Sequence, residues 1–442
     1  ARIIRRVEEA QDEKAPTQQF IERFARWYTP FIIGLSIVAY LITRDIELAL
    51  TLLVIGCPGA LVISTPVSVV AGIGRAAKSG ILIKGGEYLE NAGKISALAL
   101  DKTGTLTQGK PRLTHILPFG SAPTPGLFSA NEKWNAAQTS ALYWAAIVEA
   151  SSEHPLARSI LLEAEALGKI PQAERFEART GRGVWAQHEG HGIAVGTLEL
   201  MSELGIPVAD ESKAALTGLK SEGETAVLVA LDGVIIAAFG IADPLRETAA
   251  EMIRRLKEVG LKRIVMLTGD DRITAMSIAR QAGIEDVRAE LLPEDKLAAI
   301  RELQKEGHVV AMVGDGINDA PALAAANVGI AMGAAGTDIA IETADIALMS
   351  DDLLKLPEAI RLSKATLNNI HQNVVIALVT VTILVLGVLF GQVHMAGGML
   401  IHEASVLIVI LNGMRLLGHS SIDRLFSIPA KPAIHRGAVN LR

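Results

Sequence analysis

The chain has 442 residues, half of them apolar and only 4% aromatic, with a net charge of −6 at neutral pH. Its mean hydropathy of +0.35 is too apolar for a wholly soluble enzyme of this size, and the mild acidity gives no handle for nucleic acid. The single cysteine, Cys57, excludes an intrachain disulfide and with it the disulfide-stapled secreted scaffolds.

Residues 1–26 are charged and helical in pattern, begin without Met, and read as a cytoplasmic helical segment of a longer protein. Four stretches, 27–43, 48–73, 374–391 and 399–417, are apolar enough to span a bilayer, which takes about 17–25 residues. They form two hairpins, expected within 27–84 and 364–418, ahead of a tail at 419–442. Arg23, Arg26, Arg75, Lys78, Lys84, Arg361, Lys364, Arg415 and Arg424 flank the spans on the side opposite the short links. That bias predicts cytoplasmic termini and a cytoplasmic middle segment.

The middle segment alternates strand-like runs such as "ISALAL", "RIVML" and "HVVAMVG" with helical stretches such as "RETAAEMIRRLKEVG". The fold class predicted is therefore multi-domain α/β plus membrane helices, with a parallel sheet and crossover connections. One sheet domain is expected in two parts, 85–118 and 235–363. The Pro/Gly/Ser-rich "PFGSAPTPGLFSANEK" opens an inserted α+β domain at 119–234.

Several strand ends carry chemistry. "ISALAL" runs into Asp101-Lys102-Thr103-Gly104-Thr105-Leu106-Thr107, "MLTGDD" places Thr268, Gly269 and Asp270 after a strand, and "LLPEDK" puts Lys296 at the head of a helix. "VAMVGDGINDAP" follows a strand with Asp315 and adds Asp319. Ligands of open α/β sheets bind at the carboxyl ends of strands, so these groups converge if the sheet is parallel. A carboxylate nucleophile, an ammonium group, a hydroxyl and further carboxylates suit phosphoryl transfer through an acyl phosphate. Mg²⁺ takes oxygen ligands, which Asp315 and the Thr103 carbonyl offer.

"DKTGTLT", "TGD" and "GDGINDAP" together resemble the signature set of the P-type ATPases, a branch of the haloacid dehalogenase superfamily. The resemblance implies a Rossmannoid phosphorylation domain with an inserted nucleotide-binding domain. It makes Asp101 the phosphorylated aspartate and puts Asp315 and Asp319 in the Mg²⁺-binding motif. Simple phosphatases of the superfamily carry an acid two residues after the nucleophile. Here that residue is Thr103, a change expected to slow acyl-phosphate hydrolysis.

Within the spans, Cys57-Pro58-Gly59 puts a thiol at a helix break, and His402 and Glu403 are ionisable residues in an apolar helix. Thiolate, imidazole and carboxylate suit a soft or borderline divalent ion, Zn²⁺, Cd²⁺ or Co²⁺, better than Na⁺, K⁺ or Ca²⁺. "SSEHPLARSI" and "TGRGV" resemble nucleotide motifs of the heavy-metal branch, and by that resemblance Glu149, His154, Gly181, Gly183 and Gly192 line the ATP pocket. The branch's Cys-Pro-Cys is Cys-Pro-Gly here, and "HEAS" keeps His-Glu without the glycines that follow it in cobalt-type pumps. The metal therefore stays open.

No Thr-Gly-Glu occurs in the sequence, so the resemblance implies that an actuator domain and earlier membrane segments belong upstream. The function expected is ATP-driven export of a divalent heavy metal from the cytoplasm across a plasma (inner) membrane. A membrane-anchored phosphatase and an inactive metal-binding remnant are the alternatives.

Overall fold

The computed structural model describes residues 15–120, 133–152, 154–314, 319–333 and 343–418. It divides into two compact units. One comprises the described residues within 15–78, 85–90 and 362–418, the other those within 79–84 and 91–361.

The first unit is built on four helical spans long and apolar enough to cross a membrane: Pro16–Thr43, Ile46–Lys78, Lys355–Leu389 and Met395–Leu417. The first begins earlier than the expected 27, and the helix of the third starts at Lys355, ahead of the expected 374. The second is not one rod. It consists of helices Ile46–Ile55 and Gly59–Lys78, interrupted at Gly56-Cys57-Pro58. Asp45 caps its start, Oδ1 accepting from the Glu47 and Leu48 amides at 2.9 and 3.1 Å. Pro58 has no amide hydrogen to continue the ladder, and the Val62 amide resumes it by donating to the Pro58 carbonyl at 3.0 Å. Small residues then let helices close in: Gly398 abuts Ile55, and Gly413 abuts Val67.

The second unit holds two sheets. The first has seven strands in the order β1-β13-β12-β11-β2-β9-β10. They are β1 (Ile81–Ile83), β2 (Ala97–Asp101), β9 (Arg263–Leu267), β10 (Asp286–Arg288), β11 (Val310–Gly314), β12 (Val328–Ala331) and β13 (Ile346–Leu348). All neighbours are parallel except β1 with β13. β2 is buried along its whole length, as expected of a central strand covered by helices on both faces. Ala97 and Ala99 pack in one cluster with Ile300 and Leu303 of helix Pro293–Lys305. Each such Leu or Ile contributes about 1.5–3 kcal/mol by leaving water.

The second sheet has six antiparallel strands in the order β3-β8-β7-β6-β5-β4. They are β3 (Arg112–Pro118), β4 (Arg175–Arg179), β5 (Gly183–His188), β6 (His191–Gly196), β7 (Thr225–Leu231) and β8 (Val234–Ala242). Helix Ala136–Glu149 packs on one face, with Ala145 and Val148 in a cluster with Val184 and Val195.

Three expected boundaries move. Residues 81–83, expected within the first membrane pair at 27–84, form the antiparallel edge β1 of the seven-stranded sheet. β3 and β8, expected in the parallel sheet, pair with each other in the antiparallel one. Their apolar runs read alike in either sheet; the partner strand decides.

Candidate active site and metal-facing groups

β2 lies between β9 and β11, with Asp101 opposite Leu267 and Leu100 opposite Val313. The residues that follow the three strands therefore meet at one sheet edge. Asp101 is only 6% exposed. After it the chain makes a tight turn over Lys102–Leu106 in which Gly104 takes φ +72°, a conformation that favours glycine.

Helix Pro293–Lys305 begins at this edge. Asp295 fixes its first turn by accepting from the Leu292 amide at 2.9 Å. Lys296 then reaches two carboxylates, donating to Asp101 Oδ1 at 2.6 Å and to Asp319 Oδ1 at 2.8 Å. Burial by itself would lower the Lys296 pKa, but Asp101 and Asp319 outweigh it and hold it above the usual lysine value. Lys102, also buried, forms an ion pair with Asp270. Thr268 is buried, and its hydroxyl accepts from the Asp270 amide at 3.2 Å. The structure thus gathers Asp101, Lys102, Thr268, Gly269, Asp270, Lys296 and Asp319 around the strand ends. Asp315 lies outside the described residues.

Asp319 Oδ2 is buried with no hydrogen-bond partner among the described residues. An unsatisfied carboxylate oxygen beside a buried second carboxylate fits a hard divalent cation such as Mg²⁺, which needs oxygen ligands and supplies the missing charge.

Two residues that the sequence did not single out fix the turn after Asp101. Asp243 Oδ2 accepts from the Thr107 hydroxyl at 2.5 Å and from the Gly109 amide at 3.2 Å, and Oδ1 accepts from the Lys110 amide at 3.0 Å. Arg246 donates to the Gly104 and Thr107 carbonyls, both at 3.0 Å. Their only sequence signal was an acid and a base, three residues apart, just beyond a strand in "IADPLRE".

On the second sheet, Glu149 ends helix Ala136–Glu149 and is buried. Burial pushes its carboxyl up to about 7, against a hydrogen bond with Ser152 that pulls it down. His154 caps helix Pro155–Ala164, its Nδ1 accepting from the Leu156 amide at 3.2 Å. Gly181 and Gly183 have φ +73° and +140°. Gly192 stands apart from them. It pairs with Gln187 near the far end of β5, about 13 Å from Gly183 by strand rise, and its amide donates to Asp232. The residue opposite Gly183 is Gly196, where a β-carbon would overlap the Arg182 carbonyl. Gly196 therefore takes the place expected of Gly192 beside the Gly181–Gly183 turn.

In the membrane unit, His402 is buried, and its Nε2 lies 3.6 Å from where a β-carbon on Gly59 would sit. Its Nδ1 has no hydrogen-bond partner among the described residues. Cys57 is exposed, and so is Glu403. The three expected ligands do not close on a single point among the described residues, because adjacent positions 402 and 403 project from different sides of one helix.

The family model "haloacid dehalogenase-like hydrolase" matches residues 95–327. A zinc-transporting PIB-type ATPase in its E2.Pi state is 40% identical with a TM-score of 0.72, over 94% of this chain and 67% of that one. The chain belongs to the heavy-metal-transporting P-type ATPases. A probable cadmium-transporting ATPase of Alkalihalophilus pseudofirmus is 42% identical over 94% of this chain and 58% of its own length. A manganese-exporting P-type ATPase of Mycobacterium tuberculosis is 42% identical over 96% of this chain and 57% of its own. The chain thus spans little more than half the length of these curated relatives.

Proposed function

We propose that the protein uses ATP to drive a divalent heavy-metal ion across a plasma membrane, most simply outward from the cytoplasm, through a phosphoaspartate at Asp101. The observation that carries this reading is the Asp101–Lys296–Asp319 bridge at the end of the central strand. An Asp101 oxygen attacks the γ-phosphorus of ATP, the bond to the ADP oxygen breaks, and the carboxylate becomes an acyl phosphate. Lys296 holds the attacking carboxylate and offsets the charge of the incoming phosphoryl group. Lys102 is kept near the site by Asp270, and the Thr268 hydroxyl lies at the same edge as a donor to a phosphoryl oxygen.

Asp319, with Asp101 and the Thr103 carbonyl, would hold Mg²⁺, which shields the phosphoryl oxygens when bound. Asp315 belongs to the same set by its motif. Asp243 and Arg246 keep the Lys102–Leu106 turn in place during attack. Glu149, His154, Gly181, Gly183 and Gly196 serve the adenine nucleotide. Thr103 carries no acid to activate water, which favours a long-lived acyl phosphate.

In the membrane, Cys57 and His402 form the core of the site for the transported ion. A thiolate and an imidazole beside a broken helix select Zn²⁺, Cd²⁺ or Co²⁺ over hard cations; the relative named for manganese makes Mn²⁺ a necessary comparison. The test is acid-stable labelling from γ-labelled ATP with Mg²⁺ and each of these four ions in turn. One ion should raise the label, and Cys57→Ser should abolish that rise. Labelling indifferent to all four ions would refute the transport reading.

A further inference from the structure

His115 on β3 and two acids in the loop before β7 form a group of metal-ligating side chains that shares no residue with the Asp101 edge or the membrane helices. A His115 ring nitrogen and one carboxylate oxygen each from Glu222 and Glu224 all lie within 4.8 Å of one another. Three features make this more than a chance meeting of acids.

The first is a β-bulge. The register between β3 and β8 shifts between Leu113 and His115. In a regular strand Thr114 and His115 would point to opposite faces. Here both reach one carboxylate: the Thr114 hydroxyl donates to Glu224 Oε1 at 2.8 Å, and His115 Nδ1 lies 2.9 Å from the same oxygen. Bulges re-aim side chains in this way.

The second is the state of Glu224. The residue is 5% exposed, and its other oxygen, Oε2, is buried without a hydrogen-bond partner among the described residues. Gly240 leaves the space for it, since a β-carbon there would overlap that oxygen. The third is charge. Neither Glu222 nor Glu224 has a Lys or Arg ion-pair partner among the described residues; only His115 stands beside them. A buried carboxylate without a cation is costly, and a bound divalent ion removes that cost.

We propose that His115, Glu222 and Glu224 bind a divalent transition-metal ion of the Zn²⁺ class. One imidazole and two carboxylates suit a borderline ion better than Mg²⁺, which favours oxygen ligands and retains its water. Gly223, at φ +91°, turns the chain so that both acids face the histidine, and the half-exposed His115 and exposed Glu222 leave the site open to solvent.

The ion would also act on the phosphorylation edge. The Glu224 carbonyl accepts from the Thr274 hydroxyl at 3.1 Å, and the Ser221 carbonyl accepts from the Ser277 hydroxyl at 2.9 Å. Both hydroxyls belong to helix Arg272–Ala282, which starts two residues after Asp270. Metal at this loop would therefore stiffen the link between the antiparallel sheet and the Thr268–Asp270 turn.

The test is Zn²⁺ binding by equilibrium dialysis to the full chain in detergent, with excess Mg²⁺ and in a Cys57→Ser background. His115→Ala and Glu222→Gln should each weaken one equivalent of Zn²⁺ by at least about tenfold, while ATP binding persists as the folding control. Co²⁺ loaded at that equivalent should show d–d absorption, and His115→Ala should remove it. Unchanged Zn²⁺ stoichiometry and affinity in both variants would overturn the proposal.

Discussion

Lys296 bridges Asp101 and Asp319, with Nζ 2.6 Å from one carboxylate and 2.8 Å from the other. The three side chains come from the head of a helix, the end of the central strand and the start of helix Ala320–Ala325. Replacing Lys296 with Met leaves two buried acids facing each other. The expected result is a phosphorylation rate lower by on the order of 10²–10³-fold, with a stability loss of about 3–5 kcal/mol for the broken buried pair. Lys296→Arg should recover part of the stability and little of the rate. Rapid-quench labelling and thermal unfolding measure the two separately.

Glu149 gives a pH dependence with a definite sign. Its folded pKa of about 7 exceeds the unfolded value of about 4.3, so the folded state holds a proton that the unfolded chain has released. Its contribution to stability therefore falls as pH rises between those two values, by up to about 4 kcal/mol in total. Above the window the buried group is charged. Glu149→Gln should flatten that slope, and ATP affinity in the wild-type chain should decline as pH passes 7 while the variant's stays level. Denaturant unfolding and nucleotide titration across pH 5–8 check both halves.

The exchange of Gly192 for Gly196 predicts unequal effects of the same substitution. Gly196→Ala must displace the Arg182 carbonyl or the chain around it and should weaken ATP binding by at least about tenfold, a cost near 1.4 kcal/mol. At Gly192→Ala the nearest atom to the new carbon is Trp185 Nε1 at 3.8 Å, and the change should be small. Isothermal titration with a nonhydrolysable ATP analogue distinguishes them; equal losses would remove Gly196 from the site.

Arg246 touches the Gly104 carbonyl within the turn, and Asp243 holds the Gly109 and Lys110 amides just after it. Arg246→Ala frees the Gly104 and Thr107 carbonyls. It should lower the phosphorylation rate at saturating ATP by about 10–100-fold, as misplacing a reacting group does, with ATP affinity nearly unchanged. A loss confined to affinity would show that the pair serves nucleotide binding instead.

In the membrane unit the buried His402 and the break at Cys57 predict that His402→Ala and Cys57→Ser abolish metal-stimulated labelling. Glu403→Gln, at an exposed position, should reduce it much less. A larger effect at Glu403 than at His402 would reverse the assignment.

Much of this was legible in the sequence because short motifs at strand ends need no tertiary partner to be seen. Asp101, Thr268 and Lys296 stand out wherever the strands lie, and parallel pairing of β2 with β9 and β11 then brings them together. What stayed hidden depends on contacts. β8 has the same apolar pattern in either sheet, and only its antiparallel pairing with β3 and β7 assigns it. Asp243 acts through backbone partners more than 130 residues away, which no local pattern encodes. Gly192 and Gly196 are alike on paper, and the register against β5 separates them. Glu224 resembles a surface acid until the bulge at Thr114 and the space at Gly240 are known.

The central claim is a covalent phosphoaspartate at the end of β2. The most direct measurement is borotritide reduction of the chain after incubation with ATP and Mg²⁺, followed by peptide mapping, because reduction converts an aspartyl phosphate to tritiated homoserine. Tritium should appear at position 101 alone, require ATP, and vanish in Asp101→Asn. Tritium at another residue, or acid-stable label from ATP that persists in Asp101→Asn, would contradict the account.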